Sequence, residues 1–148
     1  MPVNAEAVGR AYGPHEPYEV TRVKIREFAD AVDANSFAHF NVEAARAEGY
    51  DDLVAPTTFA VIIAQRAEFH VVADPEVGVD FSRVVHADER FTHHRPIVAG
   101  DVISTTVHID NITLRGGISM VTTRAELEDA DGNPVATVLS TLAVREEA

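Results

Sequence analysis

Residues 55–70, APTTFAVIIAQRAEFH, decide the fold of this chain. Residues 59–64 within this stretch are apolar on every side, which is typical of an element that is buried all round. A central strand would have the same composition. The continuation over residues 65–69, together with Thr57 as a cap, favours a buried helix instead. The stretch therefore predicts a central helix over residues 58–70.

Two shorter helices are predicted before this central helix. Over residues 20–32 the apolar side chains recur at intervals of three and four, as they do on one face of a helix, with Thr21 as the N-cap. These apolar positions are Ile25, Phe28, Ala29 and Val32. The second helix is predicted over residues 42–48, between Asn41 as its N-cap and Gly49 as its C-terminal stop.

After the break at residues 74–75 the apolar period changes to two, which indicates strands. Strands are predicted over residues 84–93, 101–114, 118–128 and 135–145, with turns at residues 116–117 and 129–134. The pattern predicts one α+β domain over residues 1–148, in which a long antiparallel sheet wraps around the central helix. Because the edge strands of such a sheet need covering, we also expect the chain to form dimers.

The composition excludes several classes of partner. The chain has 148 residues, no cysteine and a formal net charge of −12, and its basic residues lie singly along the sequence. Nucleic acids and anionic membranes require a concentrated basic face, so neither is an expected partner. The N-terminal residues lack the pattern of a signal peptide, and no apolar run is long enough to span a membrane. We expect a cytoplasmic protein.

Spacing alone identifies no reaction. The adjacent His93 and His94 would point to opposite faces of a strand, and no pair of histidines has the spacing of metal ligands, so neither a metal site nor a cofactor is predicted. The chain also lacks the Gly-x-Ser-x-Gly turn of serine hydrolases and the glycine-rich loops that bind phosphates.

Three segments carry a more specific pattern: FADAVDANSFAH at residues 28–39, YDDLVAPTTF at residues 50–59, and SRVVHADERF running into HRPIVAGD over residues 82–101. In this order they resemble the hot-dog dehydratases of the MaoC type, and in particular the small FAS1-like dehydratase domains. That family includes subunits of heterodimeric (3R)-hydroxyacyl-carrier-protein dehydratases. The likeness spans residues 8–145, and its Arg-Pro-x-x-x-Gly-Asp element supports the fold more than the function.

The resemblance implies a single hot-dog fold, dimers that form continuous sheets, and reversible elimination of water from a 3-hydroxyacyl thioester carried by CoA or an acyl carrier protein. Such an elimination needs a base for the C2 proton and an acid for the C3 hydroxyl. In catalytic members of the family these are an aspartate and a histidine five residues later, within a Gly-Asp-x-Asn-Pro-x-His motif.

Aligned without a gap on residues 33–39, DANSFAH, the motif places its histidine on His39 and its aspartate on Ala34. A gapped alignment makes Asp33 the acid instead, six residues before His39. Alanine cannot transfer a proton, and the two catalytic groups of such a site act as a unit. The ungapped alignment therefore predicts that the chain alone is a poor dehydratase.

Three hypotheses follow from these alignments. In the first, the chain is a non-catalytic, substrate-binding subunit, and a MaoC-type partner supplies the aspartate and the histidine. In the second, it is a self-sufficient hydratase or dehydratase homodimer that uses His39 with Asp33 or another acid. In the third, it is a thioesterase-like or non-enzymatic acyl-binding hot-dog protein.

The resemblance also implies candidate binding residues. Phe37 and Phe59 are candidates for the wall of an acyl channel, although core packing explains them equally well. Thr57 and Thr58 match the start of the central helix, near the expected thioester, although they also suit a helix cap.

An acidic carrier protein would need a local basic patch on this acidic chain. Arg83, Arg90 and Arg95 flank the third matched segment and are candidates for that patch. If they do not converge, the partner presents the basic surface or the substrate is a CoA thioester. His86 is an additional candidate for the site, and a strand histidine bonded to backbone is the simpler interpretation of it.

Overall fold

Three α-helices lie in the first half of the chain. The computed structural model describes residues 2–147, and its helices are α1 (Arg22–Ala31), α2 (Val42–Ala47) and α3 (Ala60–Ala73). The predicted caps of the two short helices are confirmed: Thr21 accepts a hydrogen bond from the Lys24 amide, and Asn41 accepts one from the Ala44 amide. Each cap satisfies one of the amide groups that a helix N-terminus leaves without a partner.

The start of the central helix differs from the prediction. Thr57 is not its cap, and α3 begins two residues later than expected, at Ala60. The preceding residues form a turn in which Phe59 donates to the Pro56 carbonyl and Val61 to the Thr58 carbonyl. These carbonyl groups accept hydrogen bonds from amides at the helix start, so no side-chain cap is needed there.

Helix α3 is buried on one side. Its buried side chains include Ile63, Ala67 and Val71, which are at most 4% exposed. The later turns also carry exposed side chains, among them Arg66 and the 61%-exposed Phe69. The all-round apolar character therefore ends at residue 64, and the rest of α3 is amphipathic.

Six antiparallel strands cover the buried side of α3. They are β1 (Ala11–Tyr12), β2 (Tyr18–Glu19), β3 (Val84–His93), β4 (Val102–Arg115), β5 (Ile118–Glu128) and β6 (Pro134–Arg145). The strand order is β1-β4-β5-β6-β3, and β2 also pairs with β4. Alternate residues of the long strands face α3 and are buried, as their period of two predicts. The predicted α+β architecture, a long antiparallel sheet around a central helix, is confirmed.

The tight turn between β4 and β5 lies where the sequence predicts it. Gly116 and Gly117 both have positive φ angles, 59° and 78°, as a two-residue hairpin turn requires. At the outer side of the sheet, β3 pairs with β6, and its other edge has no strand partner within residues 2–147. None of the helices described is long and apolar enough to cross a membrane.

Candidate functional site

A cleft of about 630 Å³ lies where the loop after α1, the segment before α3 and the turn after β3 meet. Its lining includes His39, Glu48, His93 and Arg95. A slightly larger cavity, about 720 Å³, opens at the start of β3, but neither an imidazole nor a carboxylate lines it. The first cleft is therefore the candidate site, because proton transfer needs titratable groups.

His39 lies at the end of a short 3-10 turn, Phe37–His39, which Ser36 caps by accepting a hydrogen bond from the Ala38 amide. Its Nδ1 atom lies 2.7 Å from the carbonyl oxygen of Val54. Because a carbonyl can only accept, Nδ1 carries the proton and donates it. Nε2 then keeps its lone pair, and no described residue is bonded to it, so this nitrogen is suited to accept a proton.

Ala34, and not Asp33, lines the cleft together with His39. Asp33 is the residue that ends α1: it has a φ of 57°, and the next amide, that of Ala34, returns to the Ala29 carbonyl at 2.8 Å. This is the usual C-terminal arrangement of a helix, with a left-handed residue after the cap. The side chain of Asp33 is exposed. Of the two residues considered for the position of the acid, Ala34 therefore lines the cleft and Asp33 does not.

The other predicted binding residues are distributed differently. Thr57 lines the cleft, whereas Phe37, Thr58 and Phe59 do not. Phe37 is 79% exposed, and Phe59 is fully buried in the main core, where it contacts the ring of Phe28 edge-on. Thr58 is exposed at the turn before α3.

The sequence patterns missed two titratable groups of the cleft. His93 is held by a 2.7 Å hydrogen bond from Nε2 to the Thr57 carbonyl oxygen, and Glu48 is the C-cap of α2. Glu48 reaches the cleft from the end of α2, nine residues after His39, whereas His93 reaches it from the distant end of β3. Opposite faces for His93 and His94 were expected on a strand, but the strand ends at His93, and both residues line the cleft.

Arg95 and Asp101 of the Arg-Pro-x-x-x-Gly-Asp element have a structural role. They form a bidentate ion pair, with nitrogen–oxygen distances of 2.9 and 3.2 Å, and Asp101 also accepts the amide of Val98. In a bidentate arginine–carboxylate pair, two parallel hydrogen bonds add a fixed geometry to the attraction between the charges. The pair closes the turn between β3 and β4, beside the cleft.

The three arginines considered for a basic patch do not provide one. Each lies within 4.0 Å of a carboxylate: Arg83 of Asp80 and Glu147, Arg90 of Asp88, and Arg95 of Asp101 and Asp129. Arg83 directly precedes β3, and because a strand rises about 3.3 Å per residue, Arg90 lies roughly 20 Å along β3 from its first residue, Val84.

His86 contacts side chains, and the expected bond to backbone is absent from the described hydrogen bonds. Its Nε2 lies 3.5 Å from Glu68 and 3.9 Å from Glu89. Glu68 is held by the Thr123 hydroxyl, and Glu89 by the Ser140 hydroxyl. The second oxygen of Glu89 is buried without a hydrogen-bond partner. Burial raises the pKa of Glu89, and the nearby Glu68 adds to the shift. None of these groups lines the cleft.

Replacing Glu89 with glutamine is expected to stabilise the chain at pH 7 by about 1 kcal/mol. Because the pKa of Glu89 is higher in the folded state than in the unfolded state, its protonated form stabilises the folded chain. This stabilisation is lost as the pH rises from the unfolded-state pKa through the folded-state pKa. The gain from Glu89→Gln should therefore vanish near pH 4. Urea unfolding at both pH values tests this, with the exposed Glu128→Gln as the control. A gain that is equal at both pH values would contradict it.

Comparison with known proteins agrees with this architecture. The model of the family described as "FAS1-like, dehydratase domain region" matches residues 6–138. A UPF0336 protein of Saccharopolyspora erythraea is 49% identical over 145 residues, which cover 98% of this chain and 93% of that protein. A chain of the HadBC (3R-hydroxyacyl-ACP dehydratase) complex from Mycobacterium tuberculosis is 34% identical, with a TM-score of 0.84 over 93% of this chain and 96% of that one.

A second solved structure, a MaoC-like dehydratase, is 33% identical with a TM-score of 0.87. The match covers 95% of this chain and 42% of that longer one. Together these similarities confirm the hot-dog fold implied by the three sequence segments. The chain belongs to the FAS1-like dehydratase domain family, among the MaoC-like hot-dog proteins.

Proposed function

We propose that this chain is the substrate-binding subunit of a (3R)-hydroxyacyl-thioester dehydratase or enoyl-thioester hydratase in fatty-acid metabolism. The observation that carries the proposal is the composition of the cleft: His39 presents a free Nε2 atom, while Ala34 occupies the position of the acid. The hot-dog dehydratases to which the chain is similar support the reaction class. A reducing compartment such as the cytoplasm is part of the same proposal, since the chain has no cysteine.

The reaction needs two proton transfers at one site. In the dehydration direction a base removes the proton from C2, an acid protonates the departing C3 hydroxyl, and water and an enoyl thioester form. His39 can perform one of these transfers. The methyl group of Ala34 performs none, so the chain alone lacks half of the pair. A second hot-dog subunit carrying an intact aspartate and histidine would complete the reaction in its own cleft.

Backbone groups of this chain suit the binding of the thioester. The cleft includes Pro56 and Thr57, immediately before α3. The amides of Thr57 and Thr58 donate to no acceptor among residues 2–147. Amides near a helix N-terminus stabilise negative charge on an oxygen atom, such as that of a polarised thioester. The proposed role therefore rests on the backbone amide of Thr57, a residue that lines the cleft, whereas Thr58 does not line it.

The partner surface would be the outer edge of β3. This edge has no strand partner in the part of the chain described, and exposed strand edges pair readily with other strands. The exposed side chains of Phe81 and Val85, 70% and 64% exposed, flank the start of that edge. The similar HadBC structure is itself a complex of two kinds of chain. A heterodimer or homodimer through β3 fits these features.

The charge of this chain is more consistent with an acyl group carried by CoA, or with an acyl carrier protein that docks on the partner subunit. The chain has a net charge of −12, and the arginines beside the third matched segment are already paired with carboxylates. An acidic carrier protein would be repelled by such a surface.

Co-expression with a MaoC-type chain that carries the aspartate and the histidine tests the proposal. The purified complex should hydrate crotonyl-CoA. Replacing the partner's histidine with alanine should lower the rate by about 10²–10⁴-fold, whereas His39→Ala in this chain should lower it by less than about threefold. A complex that depends on His39 and not on the partner's histidine would contradict the proposal.

A self-sufficient enzyme is the second candidate. Glu48 and His93 line the same cleft as His39, so either could supply the second proton transfer in place of Ala34. In that case the chain would be active alone, and Glu48→Gln or His93→Gln would abolish the activity.

A further inference from the structure

A second, smaller cleft lies on the other side of α3 from the β3 edge. It has a volume of about 270 Å³ and lies between the segment before β2, helix α3 and the inner face of β4. Its polar lining consists of His15, Glu16, Tyr18, Arg66, His70 and Thr105. None of these residues lines the candidate active-site cleft.

The cationic and titratable groups of this cleft are held close together. The rings of His15 and His70 stack with their centroids 3.9 Å apart and an interplanar angle of 17°. The Arg66 guanidinium lies over the ring of Tyr18, 5.4 Å from its centroid. Within residues 2–147 no carboxylate lies within 4.0 Å of Arg66, in contrast to the paired Arg83. In so acidic a chain, a guanidinium with no carboxylate partner among the described residues is a local cationic centre.

Two buried polar atoms of the cleft have no hydrogen-bond partner. They are Oγ1 of Thr105, a residue that is 5% exposed, and Nε2 of His15. Thr105 lies on the inner face of β4, between two buried apolar residues, where a valine would pack as well. Burying an unpartnered hydroxyl is unfavourable, so a ligand that supplied the missing partner would be stabilised in this cleft.

We propose that this cleft binds a phosphate group, either as the free ion or as a monoester of a small molecule. Arg66, the histidine pair and the Thr105 hydroxyl offer donors from three different elements, an arrangement that suits a tetrahedral oxyanion better than a planar carboxylate. The volume corresponds to roughly nine waters of the bulk liquid, which accommodates phosphate with a small substituent. The proposal does not depend on the dehydratase role, because the two clefts share no lining residue.

Protonation of His15 should favour anion binding. Burial lowers the pKa of His15, and the adjacent His70 lowers it further. A bound anion opposes this shift, so its arrival favours proton uptake on His15. Glu16, which also lines the cleft, opposes anion binding, and Tyr18 is neutral because burial raises its pKa, with Lys24 acting weakly against that shift.

Titration of the full chain with inorganic phosphate, followed by backbone amide NMR shifts, tests the site. Saturable shifts are expected at residues 15, 66, 70 and 105. Arg66→Gln should weaken binding by about tenfold or more. The matched control Arg83→Gln removes the same charge elsewhere and should leave the affinity unchanged. Methyl phosphate binding tighter than inorganic phosphate would identify a monoester as the ligand, and equal binding would identify the free ion.

A second variant distinguishes loss of phosphate binding from loss of folding, because it is expected to weaken binding while stabilising the chain. Thr105→Val removes the unpartnered hydroxyl and should raise Tm by about 2–4 °C while weakening phosphate binding. Thr106→Val, on the opposite face of β4, is its control. Absence of saturable shifts at pH 6, or shifts that persist in both Arg66→Gln and Thr105→Val, would overturn the proposal.

Discussion

Replacing Ala34 with aspartate is expected to raise the rate at which the purified chain hydrates crotonyl-CoA by about 10²-fold or more. The substitution places a carboxyl group in the cleft that His39 already lines, and a positioned acid–base group contributes about 10²–10⁴-fold to such reactions. Initial rates of the wild-type and Ala34→Asp chains, measured side by side, give the effect directly.

Two controls separate chemistry from shape in this experiment. Ala34→Asn has nearly the same size but transfers no proton, so it should remain at the wild-type background. The double variant Ala34→Asp with His39→Ala should lose the gain, because the two groups act as a unit. An Ala34→Asp chain that folds normally and remains at background would contradict the assignment of residue 34 as the acid position.

Phe59→Ala is expected to lower the free energy of unfolding by about 3–5 kcal/mol. Phe59 is fully buried, and its ring meets those of Phe28 and Tyr18 edge-on, with centroid distances of 5.5 and 6.5 Å. Truncation removes both contacts and leaves a cavity beneath the start of α3. Chemical denaturation provides the measurement.

Phe37→Ala is the matched control for Phe59→Ala. Phe37 is 79% exposed, so its truncation in the free chain should change stability by less than about 0.5 kcal/mol. Similar losses from both variants would contradict the placement of Phe59 in the core and of Phe37 at the surface. Burial of Phe37 in a complex with a partner would instead appear as a loss of complex affinity.

Local signals in the sequence were sufficient for much of the fold. Thr21 and Asn41 cap their helices because the hydrogen bond joins residues three apart, so the pattern is visible in a short window. The period of two in β4 and β5 gives the buried face of the sheet for the same reason. The start of α3 was wrong by two residues because the Pro56–Phe59 turn satisfies the amides that Thr57 was expected to cap.

The candidate site was harder to predict from the sequence than the fold. His39 was found through its place in a family motif, and Ala34 through the alignment of that motif. Glu48 lies nine residues after His39 but outside the family motif, and His93 reaches the cleft from the distant end of β3, a proximity that only the tertiary fold creates. The gapped alignment made Asp33 the alternative acid, and the sequence does not reveal that this residue ends α1 and does not line the cleft.

The ionic partners of the arginines could not be predicted either. Arg95 looked available for a carrier protein, yet it pairs with Asp101, six residues later, and also contacts Asp129. Arg66 lies in the second cleft and has no carboxylate partner among the described residues, which its place in the sequence does not indicate. Which arginines remain available to bind a ligand therefore depends on ion pairs that form only in the tertiary structure.

The central claim is that this chain by itself lacks half of the proton-transfer pair. Hydration of crotonyl-CoA and of a longer trans-2-enoyl-CoA by the purified chain, beside the His39→Ala variant, tests it most directly. The account predicts the same background rate for both proteins with both substrates. Wild-type turnover that His39→Ala abolishes would contradict it, and would show that His39 works with an acid, with Glu48 or His93 as the group to replace next.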